Sequence, residues 1–137
     1  MFECTERCAN LPSSRADWIA ELRVGRLYLN PDQRYRGSCI VVLRRHAVEI
    51  TDLEPGESEA WWRDINAAAR AVQAAVSPGK LNLAMLGNQV PHLHAHIVAR
   101  RTDDDAWPDA IWARPLPPLS LPAPEKTALI ERIRAHL

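Results

Sequence analysis

The sequence has no excess of charge of either sign, since Lys+Arg and Asp+Glu both number 17. That balance excludes a global field able to draw the chain onto nucleic acid or an anionic membrane, so any anion site has to be local. No run of about 18 apolar residues is present, which excludes a membrane-spanning helix. The opening Met1-Phe2-Glu3-Cys4 has neither the basic start nor the apolar segment of a secretion signal, and the chain reads as cytoplasmic. Cysteines number three, an odd count that argues against a disulfide framework and leaves metal ligation or plain burial. There is no internal repeat. What is present, 137 residues of which 47% are hydrophobic, suits one domain with a real core. Five tryptophans are many for this length and are expected in the core and at a dimer interface.

The most informative stretch is Gly87-Asn88-Gln89-Val90-Pro91-His92-Leu93-His94-Ala95-His96-Ile97-Val98, where histidine alternates with an apolar residue three times. Alternation is a strand signal, because side chains at i, i+2 and i+4 share one face. His92, His94 and His96 are therefore expected in a row on a solvent-facing side, with Leu93, Ala95 and Ile97 toward the core. Neighbours in such a row stand about 6.6–7 Å apart, close enough for imidazoles to converge on a phosphate. A neutral imidazole is a phosphoryl nucleophile, and a second one beside it can stabilise charge and protonate a leaving group.

Around that stretch the pattern predicts an α+β domain on an antiparallel sheet. Residues 1–17 read as loop or an irregular turn, and 18–29 as two short strands or a hairpin. Asn30-Pro31-Asp32-Gln33 is turn chemistry. Cys39 to Leu43 is a continuous β-branched run, the pattern of a central strand, and Arg44-Arg45-His46 returns it to water. A helix entrance falls at 52–58, capped by Ser58 or an acidic neighbour. Trp61, Ile65, Ala68, Ala69, Val72, Ala75 and Val76 make the apolar stripe of the main helix, which stops at Ser77-Pro78-Gly79. Lys80 to Met85 alternates as a strand with Leu81, Leu83 and Met85 on one side. Residues 102–105 are a charged loop, and 115–124 carry five prolines in ten residues, an extended spacer. A short helix over 125–137 presents Leu129, Ile130, Ile133 and Leu137. The organisation is thus 1–114 as the main domain, 115–124 as a proline-rich segment and 125–137 as a C-terminal helix.

His92-Leu93-His94-Ala95-His96-Ile97-Val98 resembles the histidine triad motif, His-φ-His-φ-His-φ-φ, of the histidine triad (HIT) nucleotide hydrolases and transferases, at all seven positions. With Cys39 to His46 and Lys80 to Asn88, the resemblance extends over most of 15–114 and is nearest the bacterial diadenosine tetraphosphate hydrolase-like branch. It implies a five-stranded sheet with one main helix, a two-fold homodimer and a nucleotide substrate, with no cofactor required for the chemistry. His94 would be the nucleophile at the α-phosphorus, His96 would contact phosphate and leaving-group oxygens, and His92 would orient the neighbouring strand and ring. Asn88 and Asn82 fall where the family places polar side chains near the phosphate. Asn30 stands where many members have an acidic residue that holds the ribose. The resemblance also implies a structural zinc on Cys4, Cys8, His46 and His92, although the family usually has C-x2-C where this chain has Cys4-Thr-Glu-Arg-Cys8.

Plain structural alternatives accompany these assignments. Asn30 and Asn88 are also ordinary turn residues, Asn82 could serve the sheet edge, and Arg44 and Arg45 read better as a solvated strand end than as phosphate binders. Two other classes of function remain on the residues alone: a metal-dependent enzyme that uses the alternating histidines as ligands, and a nucleotide-binding module without turnover.

Overall fold

The structure is a computed structural model and describes residues 6–137 of the chain. After a short 3₁₀ turn at Glu6–Asn10 come strands β1 (Trp18–Glu21), β2 (Gly25–Leu29) and β3 (Cys39–Leu43), helix α1 (Pro55–Val76), strands β4 (Lys80–Ala84) and β5 (His94–Arg100), and helix α2 (Ala123–Arg134). The strands form one sheet in the order β1-β2-β3-β5-β4, every neighbouring pair antiparallel. β1 and β2 are the hairpin form of the expected pair, and β3 is the middle strand.

Period-2 alternation sorts the two faces. Leu27, Leu29, Cys39, Val41, Leu43, Ala95, Ile97 and Ala99 look toward α1, whose Trp61, Ile65, Ala68, Val72 and Ala75 are buried on them. The helix begins earlier than expected, at Pro55, where a proline's missing N–H would have no helical partner anyway. Glu54 occupies the N-cap without a side-chain bond, so Ser58 lies inside the first turn and does not cap. The far end closes at Ser77, left-handed at φ 46°, and Pro78 cannot extend the helix.

Asp64 joins helix to sheet. Its buried carboxylate accepts from the amides of Arg23 (3.0 Å), Val24 (2.9 Å) and Gly25 (2.9 Å), which satisfies the tight β1–β2 turn from below.

The C-terminal part differs in detail from expectation. α2 covers Ala123–Arg134, and Leu129, Ile130 and Ile133 enter the main core, but Leu137 lies beyond the helix end and is exposed. Lys126 pairs with Asp17 at 2.7 Å, and Arg134 Nε donates to the Ile19 carbonyl at 2.7 Å, so α2 closes against β1. The proline-rich segment is strapped to the 30–34 turn: Gln33 N–H donates to Leu119 O (2.7 Å) and Arg34 Nε to Pro117 O (2.7 Å). Of the five tryptophans only Trp61 is fully buried, whereas Trp18, Trp62 and Trp112 are exposed. On β4 Leu81 packs against the core, but Leu83 and Met85 are exposed, because β4 is an edge strand and ends at Ala84.

Candidate active site

β5 sets the site. Its register places His94 opposite Val42 and His96 between Ile40 and Ala84, on the sheet face away from α1. The expected row of three is corrected to a row of two, since β5 begins at His94 and His92 precedes it. Pro91 offers no amide, and the Leu93 N–H goes to Ala47 O (2.7 Å) and not to β3, so the chain is still turning at His92. The face is also not open to solvent, as His92 and His94 are each only 6% exposed.

Carbonyl oxygens can only accept, and this settles two tautomers. His94 Nδ1 lies 2.6 Å from the His92 carbonyl, so Nδ1 carries a proton, and the lone pair of the neutral ring is on Nε2. His92 Nε2 lies 2.7 Å from Leu43 O, so Nε2 carries the proton in that ring and the Nδ1 lone pair faces His46 Nδ1 at 3.2 Å. The His94 and His96 rings meet edge to face with centroids 5.1 Å apart. Burial, and secondarily the neighbouring His94, pulls the His96 pKa from its ordinary 6.5 down to about 4. Burial likewise lowers that of His92.

Trp112 covers His96, edge to face at 5.3 Å. The segment that brings it there is anchored further along the same face by Arg100, which is 1% exposed. Arg100 pairs with Asp104 (2.7 Å), donates to Asn82 Oδ1 (2.8 Å) and lies over the rings of Tyr35 (5.6 Å) and Trp107 (5.5 Å). Its carboxylate partner holds Arg100 firmly charged, and Arg100 in turn holds the Asp104 carboxyl below the usual range.

The three asparagines are separated. Asn82 is on β4 opposite Val98, on the histidine face, with its oxygen already bound by Arg100. Asn30 follows β2, and its Oδ1 accepts from the Asp32 amide (3.1 Å), the turn role. Asn88 is exposed in the bend after Gly87, whose φ of +66° suits glycine. Arg45 is exposed and makes a two-pronged pair with Glu57 (both 2.6 Å), so it serves the loop before α1.

The HIT domain family matches residues 15–103, more than half of the chain. The chain belongs to this family, the histidine triad proteins. Among solved structures, the histidine triad protein blr8122 from Bradyrhizobium japonicum is 36% identical, with a TM-score of 0.81 over 88% of this chain and 90% of that one. A histidine triad protein from Marinobacter aquaeolei is 27% identical, with a TM-score of 0.83 over 100% and 96%. One from Sinorhizobium meliloti is 26% identical, with a TM-score of 0.82 over 95% and 99%. None of the curated proteins compared matches the chain. Membership carries a general role in nucleotide binding, hydrolysis or transfer. Among the described residues, no helix is long and apolar enough to cross a membrane.

The donor set for a metal is partly assembled in this HIT chain. Ligand atoms of Cys8, His46 and His92 lie within 4.8 Å of one another. The two imidazole Nδ1 atoms are 3.2 Å apart, and His92 presents a lone pair there because its other nitrogen donates to Leu43 O. A backbone carbonyl that orients a ligating imidazole in this way is typical of metal sites. The residues therefore fit a thiolate and imidazole site for zinc. Cys4, the fourth expected ligand, lies outside the described residues.

Arg100, Asp104, Trp18 and Tyr28 are not singled out by the sequence pattern. Arg100 has the same strand parity as His94 and His96, and Asp104 follows at i+4, so a buried pair was available to the pattern. The sequence leaves Trp107 and Trp112 open to covering either the pocket or the dimer surface, and Trp112 is the one that meets His96; its path there through 101–111 has no local signal. Trp18 and Tyr28 line a cavity of about 440 Å³ on the histidine face. Cross-strand register puts Trp18, Tyr28, Ile40 and His96 in one row.

Proposed function

We propose that this HIT protein is a nucleotide hydrolase or nucleotidyl transferase of the diadenosine tetraphosphate hydrolase-like kind, with His94 as nucleophile. The observation that carries the reading is the 2.6 Å bond from His94 Nδ1–H to His92 O, which leaves Nε2 as the nucleophilic atom. Nε2 attacks the α-phosphorus of a dinucleoside polyphosphate or nucleoside phosphoramidate; an N–P bond forms, and the P–O or P–N bond to the leaving group breaks. The ring becomes cationic, and the carbonyl dipole at Nδ1–H favours that charge. Water then attacks the phosphorus, releasing the nucleoside monophosphate and restoring the imidazole. His96, neutral in the free protein, gains a reason to take a proton when phosphate charge arrives, which suits it to the leaving group. Trp112 limits water on that side.

The cavity at Trp18 and Tyr28 supports a nucleoside subsite. It offers aromatic surface and Arg15, and Tyr28 is two strand spacings, about 9–10 Å, from His96. Asn30, two residues beyond Tyr28, and Asn88, before the triad, are the polar groups assigned to ribose and phosphate. Cys8, His46 and His92, completed by Cys4, would hold a structural zinc that ties the N-terminal segment to the triad. Its donors gather at His92 while His94 and His96 stay outside, which favours a structural metal over a metal-dependent reaction. A homodimer is supported by the edge position of β4, where Leu83 and the following Met85 and Leu86 are exposed.

A hydrolysis screen over dinucleoside polyphosphates and adenosine phosphoramidates tests the reading. Release of nucleoside monophosphate by the native chain and not by His94→Ala is expected; equal release by both would overturn it.

A further inference from the structure

On the far side of the molecule from the histidines, the β1–β2 turn and the outer face of α1 enclose a groove of about 590 Å³. Its rim carries Arg23 from the turn and Arg63 and Arg70 from the helix, the latter two seven residues or about 10.5 Å apart along the axis. Between them the floor is small, Asn66 and Ala67.

The carboxylates of this groove are already engaged. Glu21 is paired with Arg26 (2.8 Å) and Arg44 (3.4 Å), and Asp64 is saturated by three backbone amides. By contrast, none of the guanidiniums of Arg23, Arg63 and Arg70 is ion-paired among the described residues. Three guanidiniums without an ion pair among the described residues therefore face one concavity, with the carboxylate of the buried Asp64 beneath them. The Asp64 bonds fix Arg23's backbone against α1, so the backbone positions from which the three side chains start are set by the fold.

We propose that this groove binds an oligophosphate, the triphosphate chain of a nucleotide or of inorganic polyphosphate, at a site separate from the histidines. Guanidinium forks match phosphate oxygens in pairs, and a linear chain of three phosphates can engage three of them. No aromatic side chain lines the groove, so there is no platform for a base, and recognition is through phosphate alone. The site is exposed, so binding is weak and strongly screened by salt.

Amide NMR with inorganic tripolyphosphate tests this on the full chain, since residue-by-residue shifts separate this groove from the triad. Saturable shifts are expected at residues 22–25 and 63–70, weakened at least tenfold in Arg63→Gln/Arg70→Gln and partly restored in Arg63→Lys/Arg70→Lys. At these same groove amides ATP should bind with an affinity within about threefold of tripolyphosphate, whatever it does at the histidines. The proposal is overturned if those amides do not move, if the glutamine variant binds as the native chain does, or if ATP, read at the groove amides, binds more than tenfold tighter than tripolyphosphate. Shifts confined to residues 92–97 would also overturn it while leaving the His94 reading untouched.

Discussion

His94 and His92 are joined through the backbone: the Nδ1–H of one imidazole donates at 2.6 Å to the carbonyl of the other residue. The bond exists because the chain turns at His92 before entering β5, which aims that carbonyl back at the ring. His92 thereby has two separate tasks. Its main chain fixes the tautomer of His94, and its own ring, held by Leu43 O, points toward His46 and Cys8.

The alternation along β5 predicts alternating phenotypes. Ile97→Ala should lower stability by about 2–5 kcal/mol, since this residue is fully buried against α1. Thermal or urea unfolding of the purified variant measures it. His96→Ala, on the other face and only partly buried, should lower turnover more than stability.

His96 gives a pH dependence with a definite sign. The unfolded ring takes a proton near 6.5, the folded one only near 4, so between these values protons bind preferentially to the unfolded chain. Its contribution to stability is full above about 6.5 and is lost as the pH falls toward 4. Urea midpoints measured from pH 7 to 4 should fall, and His96→Asn should fall less steeply.

If zinc closes the Cys8, His46 and His92 cluster, Cys8→Ser should release the metal and lower the thermal midpoint while leaving measurable turnover. Metal analysis and calorimetry on protein purified without chelators check this. Turnover lost in step with metal content would assign the ion to the reaction instead.

For the dimer, Leu83→Glu should shift the solution mass toward the monomer, because it puts charge on an exposed apolar edge strand. Light scattering at micromolar concentration reads the outcome. A native chain that is already monomeric would remove the dimer from the account.

Much of this was legible in the chain. The stripe from Trp61 to Ala75 and the run from Cys39 to Leu43 predict α1 and the central strand because each has one period and one environment. The motif picks out His94 and His96 for the same reason. What was not legible depends on tertiary placement. His92 leaves the row because the Leu93 amide finds Ala47, a partner 46 residues away, and Leu83 is exposed only because β4 is at an edge. The approach of Trp112 to His96 follows from how the segment after β5 is pinned by Arg100 and Asp104. No local pattern encodes that path.

The most direct test is to quench the native enzyme during turnover of a dinucleoside polyphosphate and map the covalent nucleotidyl group by mass spectrometry. The account predicts an acid-labile adduct on His94, absent in His94→Ala, whose turnover should fall by several orders of magnitude as for other essential nucleophiles. An adduct on His92 or His96, or a His94→Ala variant that keeps more than a few per cent of native turnover, would contradict it.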